Sequence, residues 1–169
     1  MLPKYQSRAS DGAIISLGEL FVSEADEIAS RDTDACYAFF FSETNRSIDL
    51  SKYVSFPTAE REFVIISDLV ETGATNNPKR ISTDQEVSQL QKVIYERLDQ
   101  RYSTSELLVI ANPHSPKYSH QTVCRMFRAR LEEVLNLPVT DRAQLLRFLF
   151  GGASANKHNR DTPDSAGRA

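Results

Sequence analysis

Four short apolar segments, separated by polar stretches, place the tightest limit on the fold of this chain. They occupy residues 13–22, 35–41, 62–70 and 107–111. None approaches the length of a membrane span. The segments at 35–41 and 62–70 are apolar on both faces, which is typical of strands buried between two layers. The sequence therefore predicts a sheet whose central strands are covered on both sides.

Amphipathic helices are predicted between and after these strands. Ser23 is an N-cap candidate for a short helix that reaches about Arg31. Thr83 and Glu86 form a capping box at the start of a second helix. Ser119 caps a third, which extends to about residue 135.

The resulting order is β-α-β-β-α-β-α, so we expect a single α/β domain with a mainly parallel sheet. This order is similar to that of BRCT-type interaction domains. The chain has no Trp, which that family usually carries in its last helix, so no phosphopeptide site is carried over.

The 169 residues suit one domain with an appendage. Residues 1–135 are predicted to form the folded α/β core, and residues 136–169 a basic, largely disordered tail with a nascent helix at 140–150. Arg130 lies beside the apolar stripe of the last core helix, so the side chain snorkels or the packed part of that helix ends near it.

Composition indicates an ordinary globular protein, with 40% hydrophobic and 25% charged residues. No membrane span or signal peptide is predicted, and we expect the protein in the cytosol. The two cysteines, Cys36 and Cys124, lie in apolar-patterned segments and are interpreted as buried, reduced thiols.

The net charge of −3 conceals an asymmetry. Residues 1–116 carry 11 basic and 18 acidic residues, a balance of −7, whereas residues 117–169 carry 9 and 5, a balance of +4. A basic end beside an acidic body is typical of a segment that binds nucleic acid or an acidic partner, although a solvated surface gives the same pattern. We expect weak, sequence-independent RNA binding. The candidate RNA-binding residues are Lys117, Tyr118, Arg125, Arg128, Arg142, Arg147, Lys157, Arg160 and Arg168.

A nuclease site and a metal site are weaker hypotheses, and no cofactor or metal is predicted. Asp68 and Glu71 resemble the Asp-x-Glu-Thr opening of two-metal exonucleases. They are one residue further apart, so on a strand they point to opposite faces. His114, His120 and Cys124 invite a metal site, but no fourth ligand is evident.

The chain as a whole resembles the small assembly and packaging protein of the inner capsid of cystoviruses, the enveloped double-stranded RNA bacteriophages. The resemblance lies in the length, in an α/β body through about residue 129, and in the tail RLEEVLNLPVTDRAQLLRFLFGGASANKHNRDTPDSAGRA. It implies a non-enzymatic component of the viral polymerase complex, found in the virion inner capsid and, during assembly, in the host bacterial cytoplasm. It also implies that the chain binds inner-capsid proteins and supports RNA packaging.

The alternatives are the metal-dependent nuclease and a protein-interaction module without RNA affinity. Two further expectations concern assembly and stability. Apolar residues within 44–61 favour a homodimer. A chain that ends between residues 129 and 137 is predicted to keep its cooperative fold.

Overall fold

The structure is a computed structural model that describes residues 3–41, 48–77, 79 and 82–155. Within these ranges the chain is helical and contains no strand. The helices are α1 (Pro3–Gln6), α2 (Asp11–Arg31), α3 (Thr33–Phe40), α4 (Phe56–Thr75), α5 (Asp84–Asp99), α6 (Thr104–Ala111), α7 (His120–Leu135) and α8 (Val139–Ala155). A single 3₁₀ turn at Leu50–Lys52 precedes α4. The predicted α/β fold with a parallel sheet is therefore wrong.

The four predicted strands are all parts of helices. The segment at 13–22 joins the predicted helix after Ser23 into one 21-residue helix, α2. Its buried residues include Ile14, Leu17, Gly18, Ala25 and Ile28, a spacing of three, four and seven that fits a helix.

Residues 62–70 lie in the middle of α4, and residues 35–41 and 107–111 fall on α3 and α6 with their flanks. Because the sheet is absent, the order similar to BRCT-type domains is absent as well. The α/β body was one of three features that support the resemblance to the cystovirus protein. The other two features are the chain length and the sequence of residues 130–169, and neither depends on the fold.

Two predicted helices are confirmed together with their caps. The Thr83 hydroxyl accepts from the Glu86 amide while the Glu86 carboxylate accepts from the Thr83 amide, which is the predicted capping box of α5. The Ser119 hydroxyl accepts from the amide of Thr122 at the start of α7. These local signals did not depend on the fold class.

The core lies around α2, which packs against α3, α4, α7 and α8. Its largest fully buried side chains include Ile14 and Leu20 on α2, Leu69 on α4, Leu98 on α5 and Met126 on α7. A smaller cluster forms where Ile28, Ala35, Cys36 and Cys124 meet. The helical faces converge on one another, so no sheet is needed to cover them.

Helix α8 belongs to this core. Ala143, Leu145 and Leu146 are at most 1% exposed, and α8 packs against α1, α2, α5 and α7. The folded part of the chain therefore extends beyond the predicted boundary at residue 135, and the helix at 140–150 is packed rather than nascent. Pro138 allows a sharp turn between α7 and α8, and that turn folds α8 back onto the core.

Cys36 and Cys124 are joined by a disulfide that connects α3 to α7, with a Cα–Cα distance of 5.9 Å. The interpretation of both as reduced thiols is therefore wrong. Their burial was anticipated correctly. Their pairing depends on the packing of two helices that bring together cysteines 88 residues apart in the chain.

Gly73 allows α1 to approach α4 closely. A Cβ atom built at Gly73 would lie 2.6 Å from the backbone oxygen of Tyr5, closer than real contacts allow. We expect Gly73→Ala to destabilise the fold by about 1–3 kcal/mol, because the obstructing atom is backbone. Gly12→Ala is the matched control, since its Cβ would have only the Ser10 hydroxyl nearby, at 3.9 Å. Urea denaturation of both variants tests this, and equal midpoints would contradict it.

None of the helices within the described ranges has a stretch both long and apolar enough to cross a lipid bilayer.

Candidate functional site

The predicted RNA-binding arginines of α7 form ion pairs within the protein. An Nη atom of Arg125 lies 2.6 Å from a carboxylate oxygen of Glu106 on α6. Arg128 pairs with Asp26 on α2 at 2.7 Å and with Glu132 at 3.4 Å. These carboxylates neutralise the positive charge that the sequence placed at this surface.

The two described arginines of the predicted tail also have partners in the fold. Arg142 donates from Nε and Nη2 to the carbonyl of Leu137, at 3.2 and 3.0 Å. Arg147 donates to the carbonyl of Ala9 and to the carboxylate of Asp11, both at 2.7 Å, and its side chain is only 10% exposed. Arg147 is thus a buried link between α8 and the start of α2.

The remaining candidates divide into two groups. Lys117 is exposed and has no ion pair within the described residues, whereas the neighbouring Tyr118 is half-buried against the core. Lys157, Arg160 and Arg168 lie outside the described residues. Of the nine residues, Lys117 is therefore the one that the structure describes as an exposed cation without a partner.

The residues of the nuclease and metal-site hypotheses do not form a metal site within the described residues. Asp68 and Glu71 lie on one side of α4, since residues three apart are neighbours on a helix, and they do not point to opposite faces as they would on a strand. Neither they nor His114 and His120 belong to a group of three possible metal ligands in the part of the chain that the structure describes. Cys124 is in the disulfide.

His114 and His120 instead contact α3. The Tyr37 hydroxyl lies 2.8 Å from Nδ1 of His114, and the Tyr37 ring stacks on His120 with 4.0 Å between centroids. Nδ1 of His120 lies 2.7 Å from Asp34. These contacts hold α3 against the beginning of α7.

Helix α4 exposes large apolar side chains. Phe56, Phe63 and Val64 are 80%, 75% and 61% exposed. They recur at i, i+7 and i+8 and so lie on one side of the helix, while Ile65, Leu69 and Gly73 lie on the buried side. The sequence does not predict this surface, because residues 62–70 were interpreted as a strand covered on both faces. Such a strand would expose neither Phe63 nor Val64.

Two acidic residues share this side of α4. Glu60 and Glu71 are exposed on the same side of α4, and neither forms an ion pair within the described residues. The helix contains four acidic residues and one arginine, and that arginine, Arg61, pairs with Glu19 of α2. We name the surface formed by Phe56, Glu60, Phe63, Val64 and Glu71 the α4 face.

The first turn of α4 is anchored to α2. The Glu27 carboxylate accepts hydrogen bonds from the amide and hydroxyl of Ser55 and from the hydroxyl of Thr58. The Thr58 hydrogen bond is the main cause that lowers the pKa of Glu27. An anion at this position also suits the positive end of the helix dipole. Phe56 therefore projects from a fixed helix end.

Glu24 is a buried residue of α2. Its burial, with smaller contributions from Glu62 and Glu27, raises its pKa from 4.5 to about 7. Between these two values the folded chain holds a proton that the unfolded chain has lost, so the free energy of unfolding should fall as the pH rises from 4.5 to 7. Above pH 7 the loss is complete.

Glu24→Gln should therefore weaken this dependence and make the variant more stable than the parent at pH 8. Thermal melts of both at pH 5 and pH 8 measure the effect. Glu60→Gln, at an exposed position of α4, serves as the control. A parent and a Glu24→Gln variant that lose equal stability between the two pH values would refute the assignment.

A comparison with protein-family models, with curated proteins and with solved structures finds no match to this chain.

Proposed function

We propose that this protein is a non-enzymatic protein-binding module, and that the α4 face binds an amphipathic helix with basic flanks. The observation that carries the proposal is the exposure of Phe56, Phe63 and Val64 on one side of a helix whose other side is in the core. Adjacent exposed apolar side chains on a folded protein are typical of interaction surfaces, and aromatic residues often dominate binding energies there.

The charges of α4 favour a basic partner over a second copy of this chain. Two copies of α4 packed antiparallel about their centres would bring Glu60 of one copy close to Glu71 of the other, because these residues lie equally far from the two helix ends. Parallel packing would pair each glutamate with its own equivalent. Like charges oppose both arrangements, whereas lysines or arginines on a partner helix would be attracted.

The apolar residues within 44–61 were the reason to expect a homodimer, and the described ones differ in their exposure. Leu50, Tyr53 and Val54 pack against the cluster around the disulfide, while Phe56 is exposed. Self-association is therefore an outcome to be measured, and sedimentation over a range of concentrations measures it. The assembly role implied by the cystovirus resemblance fits the proposal if an inner-capsid protein supplies the basic helix.

RNA binding has less support among the described residues. Arg125, Arg128, Arg142 and Arg147 each have a carboxylate or carbonyl partner that RNA would have to displace. Lys117 is exposed. A titration with short double-stranded RNA at low salt tests this second class of partner, and a shift that weakens steeply with salt would favour it.

The main test uses a synthetic helical peptide with leucines on one face and lysines on the others. We expect it to bind the full chain and to shift the amide resonances of α4. Phe63→Ser should weaken binding roughly tenfold or more, because it removes an exposed aromatic anchor. A peptide with glutamates in place of the lysines should bind much more weakly.

Leu108→Ser is the matched control, because Leu108 is also an exposed apolar residue, at 54%, but lies on α6. It should leave peptide binding unchanged. Absence of binding by the lysine peptide, or equal losses for Phe63→Ser and Leu108→Ser, would overturn the proposal.

A further inference from the structure

A separate cavity lies between α2, α3, α7 and α8. It has a volume of about 220 Å³ and is lined by Phe21, Phe40, Phe127, Arg130, Leu131, Leu149 and Phe150. Six of these side chains are apolar, and their aromatic rings contact one another. The rings of Phe21 and Phe150 have centroids 5.5 Å apart, and those of Phe40 and Phe127 are 5.8 Å apart.

Arg130 is the charged residue in this lining. The structure gives its guanidinium no hydrogen bond or ion pair within the described residues. Apart from the exposed Arg8, every other arginine whose side chain is described has a carboxylate or a backbone carbonyl as partner. The partnered arginines are Arg31, Arg61, Arg97, Arg101, Arg125, Arg128, Arg142 and Arg147.

The surroundings of Arg130 are unfavourable to a lone cation. The residue is only partly exposed, and burial lowers the pKa of its guanidinium. The apolar walls of the cavity deprive the guanidinium of water. An anion that entered the cavity would compensate this loss by pairing with the guanidinium. A guanidinium offers paired N–H donors that match a carboxylate or a phosphate.

We propose that this cavity binds a small amphipathic anion, with its carboxylate or phosphate on Arg130 and its short apolar body between the phenylalanine rings. The volume suits a small ligand, because pockets for drug-sized ligands occupy roughly 300–1,000 Å³. The lining shares no residue with the α4 face. This inference and the proposed function therefore succeed or fail separately.

The test compares octanoate, octyl phosphate and octanol by isothermal titration calorimetry on the full chain, at concentrations below micelle formation. One or both anions should bind at least tenfold more tightly than octanol, because hydrogen bonds to charged groups are the strong ones. The tighter anion identifies the headgroup. Amide shifts should map to the parts of α7 and α8 that line the cavity.

Arg130→Met keeps an unbranched apolar side chain and should reduce anion affinity to that of octanol. Arg125→Met is the matched control, because it lies on the same helix with its side chain half-exposed and pairs with Glu106. It should leave anion binding unchanged. If Arg130→Met does not fold, Arg130→Lys replaces it as the test. Lysine keeps the positive charge but lacks the paired N–H donors of the guanidinium, so its affinity for the anion should be intermediate.

Equal affinities for the anions and octanol would overturn the proposal. So would full anion binding by Arg130→Met, or amide shifts confined to residues outside the cavity.

Discussion

A chain that ends at Leu137 is expected to lose cooperative unfolding, contrary to the expectation from the sequence alone. It lacks α8, whose Ala143, Leu145 and Leu146 are almost completely buried. Replacement of one such leucine by alanine costs about 2–5 kcal/mol, and removal of the whole helix exposes the surfaces of α2 and α5 that it covers. This cost is comparable to the total stability of a typical domain, about 5–15 kcal/mol.

Circular dichroism during thermal unfolding measures the outcome. A chain that ends at Ala155 is the control, because it retains every described helix, and it should unfold cooperatively. Leu146→Ala in the full chain should lower the midpoint while preserving a single transition. A chain ending at Leu137 that unfolded with the midpoint of the full protein would show that α8 is not required for the core.

Reduction of the Cys36–Cys124 disulfide should have the second large effect. The bond closes a loop of 88 residues, and the loss of that constraint on the unfolded chain corresponds to about 4–5 kcal/mol in the chain-entropy description. We expect the reduced protein to melt at a clearly lower temperature. Thermal melts with and without a thiol reductant measure the difference.

The double variant Cys36→Ala with Cys124→Ala is the control for nonspecific effects of the reductant. Its melting temperature should be low and should not change when reductant is added. Titration of free thiols in the denatured, unreduced protein gives an independent reading. Two free thiols per chain under these conditions would contradict the bond.

Local helix signals could be read from the sequence, and the fold class could not. The capping box at Thr83 and the cap at Ser119 are formed by residues close in sequence, so no tertiary information was needed. A short apolar run such as 62–70 is compatible with a strand buried on two sides. It is equally compatible with a helix that buries one apolar side and exposes further apolar residues on the other. The choice depended on neighbours that the sequence does not identify.

The candidate sites were hidden for related reasons. Phe63 is apolar and was assigned to the interior, although the helix turns it toward solvent. The sequence predicts Arg147 in a largely disordered tail, because Pro138 separates its short helix from the core and an isolated helix of that length is marginal. Its partners Ala9 and Asp11, however, lie at the other end of the chain. Arg130 was recognised as anomalous from its position beside the apolar stripe, but the cavity beside it requires four helices.

The contact between Arg147 and Ala9 joins residues 138 positions apart. During synthesis, α2 leaves the ribosome long before α8 has been made. The surface of α2 that packs against α8 therefore stays exposed during this time. Native closure therefore comes late in translation, after the early helices have had time to contact one another or a chaperone. We expect the nascent chain to resist protease only after α8 has emerged from the exit tunnel.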